Sequence, residues 1–302
     1  MYNEEYKLSF LASTEVAAGE KNIKSFFKQV EEAENEKQKD IAAFSKEELI
    51  DYFEHSGLFN PSSVVERLRF LRRYRIWYND HVGHCEISHL PDAVINAINF
   101  RACIEEYFFF DPDELLDTLE DQSDIYYLTD ICTYILAWHQ IELSKAVELK
   151  KTDFSFSSHE ATIHVNDKIV QITHQRSVDI LKHYYAIDSI VRQFAVNQSV
   201  YVEDNNVYFI RAFKAEPSGK VAPMETAAVR QRCKDRAKLR NSRLIDYRNV
   251  AQSGEMFKLF QAKQNGEDII ALLQKMHPSF SKSKIKNRVQ LYNQYEEVKL
   301  NR

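Results

Sequence analysis

Leu143-Ser144-Lys145-Ala146-Val147-Glu148-Leu149-Lys150-Lys151-Thr152-Asp153-Phe154 closes an amphipathic helical segment and is followed shortly by Thr162-Ile163-His164-Val165-Asn166-Asp167-Lys168-Ile169-Val170-Gln171-Ile172-Thr173. In the second run two stretches rich in Ile, Val and Thr flank Asn166-Asp167, and such runs about a two-residue turn predict a β-hairpin. A hairpin set into an otherwise helix-patterned chain implies a mainly α protein with a small β-sheet. Composition agrees, because the 302 residues include only 6 Gly and 6 Pro. That scarcity removes support for glycine-rich phosphate loops and for sandwich or multi-bladed β folds.

Upstream of this stretch the pattern is helical. Ile23, Phe26, Phe27 and Val30 recur at three-to-four spacing, and Ser45 is placed to cap a helix over Glu47 to His55, which Gly57 ends. Pro61-Ser62-Ser63 opens a long helix with Val64, Val65, Leu68, Leu71, Tyr74 and Trp77 near one face. Arg69, Arg72, Arg73 and Arg75 take much of the rest. Short helices are predicted within Pro91 to Phe108, and Asp111-Pro112-Asp113-Glu114 reads as a helix start after a linker. Residues 125–151 predict a buried helix followed by an amphipathic one. Downstream, Val200–Val202 and Asn206–Ile210 predict a third strand or a second hairpin. Helix resumes at Glu225, with a late break at Pro278 and Ser279–Ser283. The domains expected are 1–108, a helical unit; 109–124, an acidic linker and helix start; and 125–302, an α+β unit.

The net charge of −5 is unevenly spread. Residues 109–124 hold 7 acidic side chains and no basic one, whereas 225–302 hold 17 basic and 8 acidic. A cationic C-terminal quarter on an acidic protein points to a polyanion-binding surface. Its basic residues Arg230, Arg232, Lys234, Arg236, Lys238 and Arg240 recur at every second position, so on a helix they spread over more than one face. No apolar run is long enough to span a bilayer and the first residues lack a signal-peptide pattern, so a cytoplasmic location is expected. Cys85, Cys103, Cys132 and Cys233 are scattered and read as reduced, mostly buried thiols. His81, His84, Cys85 and His89 lie close in sequence, and a helix would bring His81, Cys85 and His89 to one face. They match no standard zinc-finger spacing, so neither a metal site nor a cofactor is assigned. His139 and His183 sit in apolar helical surroundings, as core or rim residues do.

The order of these pieces resembles the tyrosine recombinase (phage integrase) family over most of the chain. A small helical domain ends in an Arg-rich helix, and an acidic linker, two helices, a hairpin and a basic helical C-terminus follow. The closest local likeness is Leu143–Phe154, which resembles the family's Arg-x-Ser-Glu-Leu-x-x-Leu-x-x-x-Asp-Ile segment. The resemblance implies a core-binding (SAM-like) domain followed by a catalytic-type domain, with a first Arg, a hairpin Lys, a His-x-x-Arg motif, a later His and a nucleophilic Tyr.

Carried onto this sequence, that set is degenerate. The first Arg falls on Glu142 and the family's Glu three positions later on Lys145, so both signs are reversed. The hairpin Lys corresponds to Lys168. In Ile245-Asp246-Tyr247-Arg248 the His position holds Ile245 and only Arg248 remains, whereas counting back from Gly266 puts Glu255 at the Arg position. The stretch Gly266–Ser279 makes His277 the retained His. Tyr292 and Tyr295 lie farther beyond it than the family places its nucleophile.

A carboxylate at the first position repels a phosphate, and a phosphodiester transition state needs its cationic contacts. The expectation is therefore a recombinase fold without recombinase activity. Its role would be that of a sequence-specific regulator of duplex DNA, and it would have no catalytic residues. An integrase-like repressor of temperate phages or prophages, of the kind SPbeta-like phages use for lysogeny, is the nearest relative implied. The expected DNA contacts are Arg69, Arg72, Arg73, Arg75, Lys168, Arg230, Arg232, Lys234, Arg236, Arg240, Arg243 and Arg248. The alternative is an active, divergent recombinase using Tyr292 or Tyr295. A homodimer through an exposed ridge of Val289, Leu291, Tyr292 and Tyr295 is also expected, with no membrane partner and no small-molecule ligand.

Overall fold

The computed structural model describes residues 2–13, 20–58, 61–85, 90–119, 126–187, 191–194, 198–202, 207–210, 213–214, 223–239 and 245–302. The chain is mainly helical with small sheets, as the sequence predicts. It divides into two compact units: Met1–Glu105 with Ser281–Gln294, and Glu106–Phe280 with Tyr295–Arg302.

The first unit is built of α1 (Glu4–Ala12), α2 (Glu20–Lys37), α3 (Lys46–Glu54), α4 (Pro61–His81), α5 (Leu90–Ile95), most of α6 (Phe100–Tyr107) and the Lys282–Gln294 part of the last helix. The cap expected at Ser45 is present. Its hydroxyl accepts from the Glu48 amide at 3.2 Å, and the Glu48 carboxylate accepts from the Ser45 amide at 2.7 Å, which satisfies two otherwise orphan donors. Helix α1 was not expected. It is held by aromatic packing, with Phe10 against Phe27 and Tyr74 at ring-centroid distances of 6.1 and 5.2 Å, and by Lys7, which forms a fully buried ion pair with Glu34 of α2. Burial raises the Glu34 carboxyl to about 7, against the opposing pull of Lys7.

The second unit starts with α7 (Pro112–Leu119). Residues 109–119 are a packed part of this unit, because Phe109, Leu115, Leu116 and Leu119 are buried and Asp111 caps the Glu114 amide at 2.8 Å. Helix α8 (Tyr126–Trp138) supplies much of the core through Ile131, Tyr134, Ile135 and Trp138, and α9 (Leu143–Ala146) is a single short turn.

The predicted hairpin is β2 (Ala161–Val165) and β3 (Lys168–Ile172). Asn166 takes the left-handed conformation at φ 54°, as its turn demands. β1 (Phe154–Phe156) completes an antiparallel sheet in the order β1-β2-β3. Ala161, Ile163 and Ile172 face the core.

After α10 (Gln175–Ala186), a second antiparallel sheet joins β4 (Val191–Phe194), β5 (Gln198–Val202) and β6 (Phe213–Lys214). Val200–Val202 therefore pairs with segments other than 206–210. Tyr208 instead bridges to Lys150, and Phe209 stacks on Phe154 at 3.9 Å, so core packing draws this segment away from a hairpin. The chain ends with α11 (Thr226–Leu239), α12 (Tyr247–Gln264), α13 (Ile269–Met276) and α14 (Lys282–Leu300). Among the described residues no helix is long and apolar enough to cross a membrane.

Helices α8 and α12 meet at Gly254, where an added Cβ would lie 2.0 Å from the Trp138 carbonyl oxygen. Only a residue without a side chain permits that approach. Ser253 beside it accepts from the Phe109 amide at 3.1 Å, which ties α12 to the entry of α7.

Candidate nucleic-acid interface

The N-terminus of α12 is set by three bonds. The Tyr134 hydroxyl donates to the Ile245 carbonyl at 3.1 Å, Asp246 caps the helix by accepting from the Arg248 amide at 2.8 Å, and the Tyr247 hydroxyl donates to the Ile141 carbonyl. Ile245 is fully buried, so the place that a histidine would take in a His-x-x-Arg motif here is a packing position. Burial pushes the Tyr247 phenol upward, with the neighbouring Cys233 and the Glu142 charge adding to the shift.

These bonds place the start of α12 beside the turn before α9 and one face of α11. Together they form a cleft of about 490 Å3 lined by Gln140, Ile141, Glu142, Leu143, Arg230, Lys234, Asp246, Tyr247, Arg248 and Ala251. Arg230 and Lys234 are one helical turn apart on α11, and both are exposed. Arg248 and Glu142 are exposed as well, and Glu142 makes no side-chain cap bond to α9. Among the described residues none of these four side chains is held in an ion pair or side-chain hydrogen bond. The cleft thus presents three uncommitted cations and one uncommitted carboxylate over an apolar floor.

Other expected contacts are placed differently. Arg232 turns to the opposite side of α11, away from Arg230 and Lys234, and pairs with Asp130 of α8 at 3.0 Å. Arg75 is 2% exposed, and its guanidinium donates to the Phe44 carbonyl inside the first unit, so it too is removed from the basic face. The wide buried arc of α4, running through Leu68, Leu71 and Tyr74, extends to that position. Arg69 and Arg72 are exposed and lie on one face, with Arg73 partly exposed. Lys168 is exposed at the start of β3 and does not line the cleft. Arg240 and Arg243, and the side chains of Arg236 and Lys238, lie outside the described residues.

His277 follows α13 and does not line the cleft. Its Nε2 lies 3.2 Å from Glu255 Oε1, the Glu255 side chain is 3% exposed, and the imidazole stacks on Phe280 at 4.3 Å. The two positions linked by counting back from Gly266, Glu255 and His277, are therefore in contact.

Tyr292 is 1% exposed and Tyr295 fully buried. The Tyr295 hydroxyl lies 3.4 and 3.3 Å from the Phe109 and Phe110 carbonyls, and its ring stacks on Phe110 at 4.8 Å. The expected exposed ridge is not formed, since Leu291 is buried too and its apolar surface is spent on the protein's own core.

Helix α4 ends at His81, so helical spacing does not carry on to Cys85, and His89 lies outside the described residues. His81 stacks on Trp77 at 4.7 Å, while the Cys85 thiol points to the Arg75 carbonyl. Among the described residues no group of His, Cys, Asp and Glu is arranged to hold a metal ion.

The sequence named Glu142 and Arg248 but missed Gln140, Tyr247 and Ala251 as their neighbours. Tyr247 lay within the motif already quoted, beside Arg248, and was the one signal available.

Residues 1–80 match the family model described as "MrpR, N-terminal core-binding domain". Among solved structures the chain is similar to the crystal structure of XerA recombinase, with 14% sequence identity, a TM-score of 0.41 and coverage of 98% of each chain. It is also similar to XerH site-specific recombinase bound to palindromic difH substrate in a post-cleavage complex, with 14% identity and a TM-score of 0.40, covering 79% of this chain and 70% of that one. No curated protein matches the chain. The first 80 residues are thus similar to the N-terminal core-binding domain of MrpR.

Proposed function

We propose that this protein is a sequence-specific DNA-binding regulator, of the kind phages or prophages use as repressors, in which a recombinase-type fold occupies duplex DNA without cutting it. In this reading residues 1–108 and 125–302 are two DNA-contacting domains, and the protein works in the cytoplasm of a host cell. The observation that carries it is the exposed Glu142 at the place of the family's first arginine, within a cleft that keeps Arg230, Lys234 and Arg248 free for phosphates. Three further features support it. Ile245 is buried at one histidine position, Glu255 is committed to His277, and Tyr292 and Tyr295 are both packed in the core. A buried phenol cannot attack a phosphodiester without rearrangement.

The test is salt-dependent binding of the full chain to duplex DNA, comparing Arg69→Ala/Arg72→Ala and Arg230→Ala/Arg248→Ala with the parent. Each pair is expected to weaken binding by about tenfold and to flatten the slope of log K against log salt by roughly one to two contacts. Unchanged affinity in both double variants would refute the reading.

A further inference from the structure

The cleft contains one group that a phosphate-binding surface does not need. Glu142 stands among Arg230, Lys234 and Arg248, is exposed, and neutralises none of them by contact. A carboxylate kept only for structure would cap α9 or pair with a neighbouring cation. Glu142 does neither, whereas Glu148, on the turn after α9, pairs with Lys145 at 3.1 Å in the ordinary way. Its field falls on whatever anion the three cations attract.

We propose that Glu142 is an affinity-limiting residue, a fixed negative charge that weakens the grip of this cleft on a DNA phosphate and so shortens the residence of the protein on DNA. The inference rests on the DNA-binding reading above. Backbone contacts supply most of the sequence-independent affinity of such proteins, and each is a salt-sensitive electrostatic term. One carboxylate lining the same cleft as the three cations therefore opposes one cation's worth of phosphate binding, and the apolar floor of Ile141, Leu143 and Ala251 limits its screening by solvent. The residue sets how long the chain stays bound and leaves the choice of sequence to contacts elsewhere.

The experiment uses the full chain and a mixed-sequence duplex, with affinity and dissociation rate followed by fluorescence anisotropy from about 0.05 to 0.3 M salt. Glu142→Gln is expected to tighten binding about threefold and Glu142→Arg about tenfold at roughly 0.1 M salt, mainly through slower dissociation. The Arg variant should also steepen the salt slope by about 0.9, as one added phosphate contact does. Glu148→Gln removes a charge outside the cleft and should change affinity by less than about twofold. Matching melting temperatures establish that the variants are folded.

If Glu142→Gln and Glu142→Arg bind no tighter than Glu148→Gln, the brake is absent. Weaker binding by Glu142→Gln would show that the carboxylate makes a favourable contact, and would equally overturn the inference. If Glu142 and Arg230/Arg248 substitutions are all silent while Arg69/Arg72 substitutions weaken binding, this inference falls and the DNA-binding reading stands. If the parent binds no duplex, both fall.

Discussion

Gly254→Ala sets two effects of opposite sign against each other. Glycine inside a helix costs about 1 kcal/mol relative to alanine, so at an open helical position the substitution would stabilise the protein. Here the new methyl would lie 2.0 Å from the Trp138 carbonyl oxygen and 2.7 and 2.8 Å from the Trp138 C and Cα atoms. Carbon and oxygen reach contact at about 3.3 Å, so α12 and α8 must separate by on the order of 1 Å. The groups facing them are backbone, which cannot rotate away. A gap of that size forfeits a quarter to a half of each dispersion contact across the seam, and forced overpacking costs about 1–3 kcal/mol or more. The seam includes Val250, fully buried, and Phe257, whose ring lies 5.6 Å from that of Trp138.

The expected net effect is a loss of about 2–4 kcal/mol. It should be read from urea unfolding followed by Trp138 emission in a Trp77→Phe background, since the chain has 2 tryptophans. Arg248 and Tyr247 begin the same helix, so DNA affinity should fall as well. The comparison is Gly266→Ala, where nothing lies within 4 Å but φ is +80°. That variant should lose about 1–2 kcal/mol through the left-handed conformation alone, and Gly266→Asn less. If Gly254→Ala is as stable as the parent or more so, the close approach of α8 and α12 is wrong, and so is the placement of the cleft.

Other outcomes follow from single groups. Lys7→Met leaves Glu34 buried without its partner and should cost about 3–5 kcal/mol, most of which Lys7→Met/Glu34→Leu regains; additive losses in this cycle would exclude the buried pair. Burial lowers the His139 imidazole to about 4, and its Nε2 is buried with no hydrogen-bond partner. The unfolded chain therefore takes up a proton near pH 6.5 that the folded protein refuses until about pH 4. Stability supplied above pH 6.5 is lost as pH falls through that window, by up to about 3 kcal/mol, and His139→Gln should flatten the acid limb of the stability profile. All four cysteines are buried, and burial pushes the Cys233 thiol up to about 11, so an aromatic disulfide reagent at pH 8 should react slowly with the native protein and with four thiols in urea. Fast native reaction would contradict the packing of α11. Tyr295→Phe should lose about 1 kcal/mol, for its bonds to the Phe109 and Phe110 carbonyls, with DNA affinity unchanged.

Features set by near neighbours in sequence were legible, because the physics that forms them is local. The Ser45–Glu48 cap, the Asn166-Asp167 turn and the start of α7 at Pro112 each need only three or four residues to define them. The side a basic residue faces was not legible. Arg72 and Arg75 look equivalent in the sequence, yet one is exposed and the other donates to the Phe44 carbonyl, because the arc that α4 buries is fixed by the elements packed on it. Arg232 and Lys234 diverge for the same reason once Asp130 is brought alongside. Helix α1 escaped notice because its nine residues carry little amphipathic pattern and are held by Phe27, Glu34 and Tyr74, all distant in sequence. The cleft itself gathers residues from three separated segments, so the sequence could name Glu142 as an anomaly without showing what surrounds it.

The function proposed for the protein is to bind DNA without cutting it. The most direct measurement is to incubate the purified protein with a fragment library of its own genetic element, recover the bound DNA, and run the same sample on a denaturing gel. Selective recovery of a few sites, lost at high salt and free of covalent protein–DNA adducts, is the predicted result. Adducts that disappear with Tyr292→Phe or Tyr295→Phe would mean a working recombinase and would contradict the account.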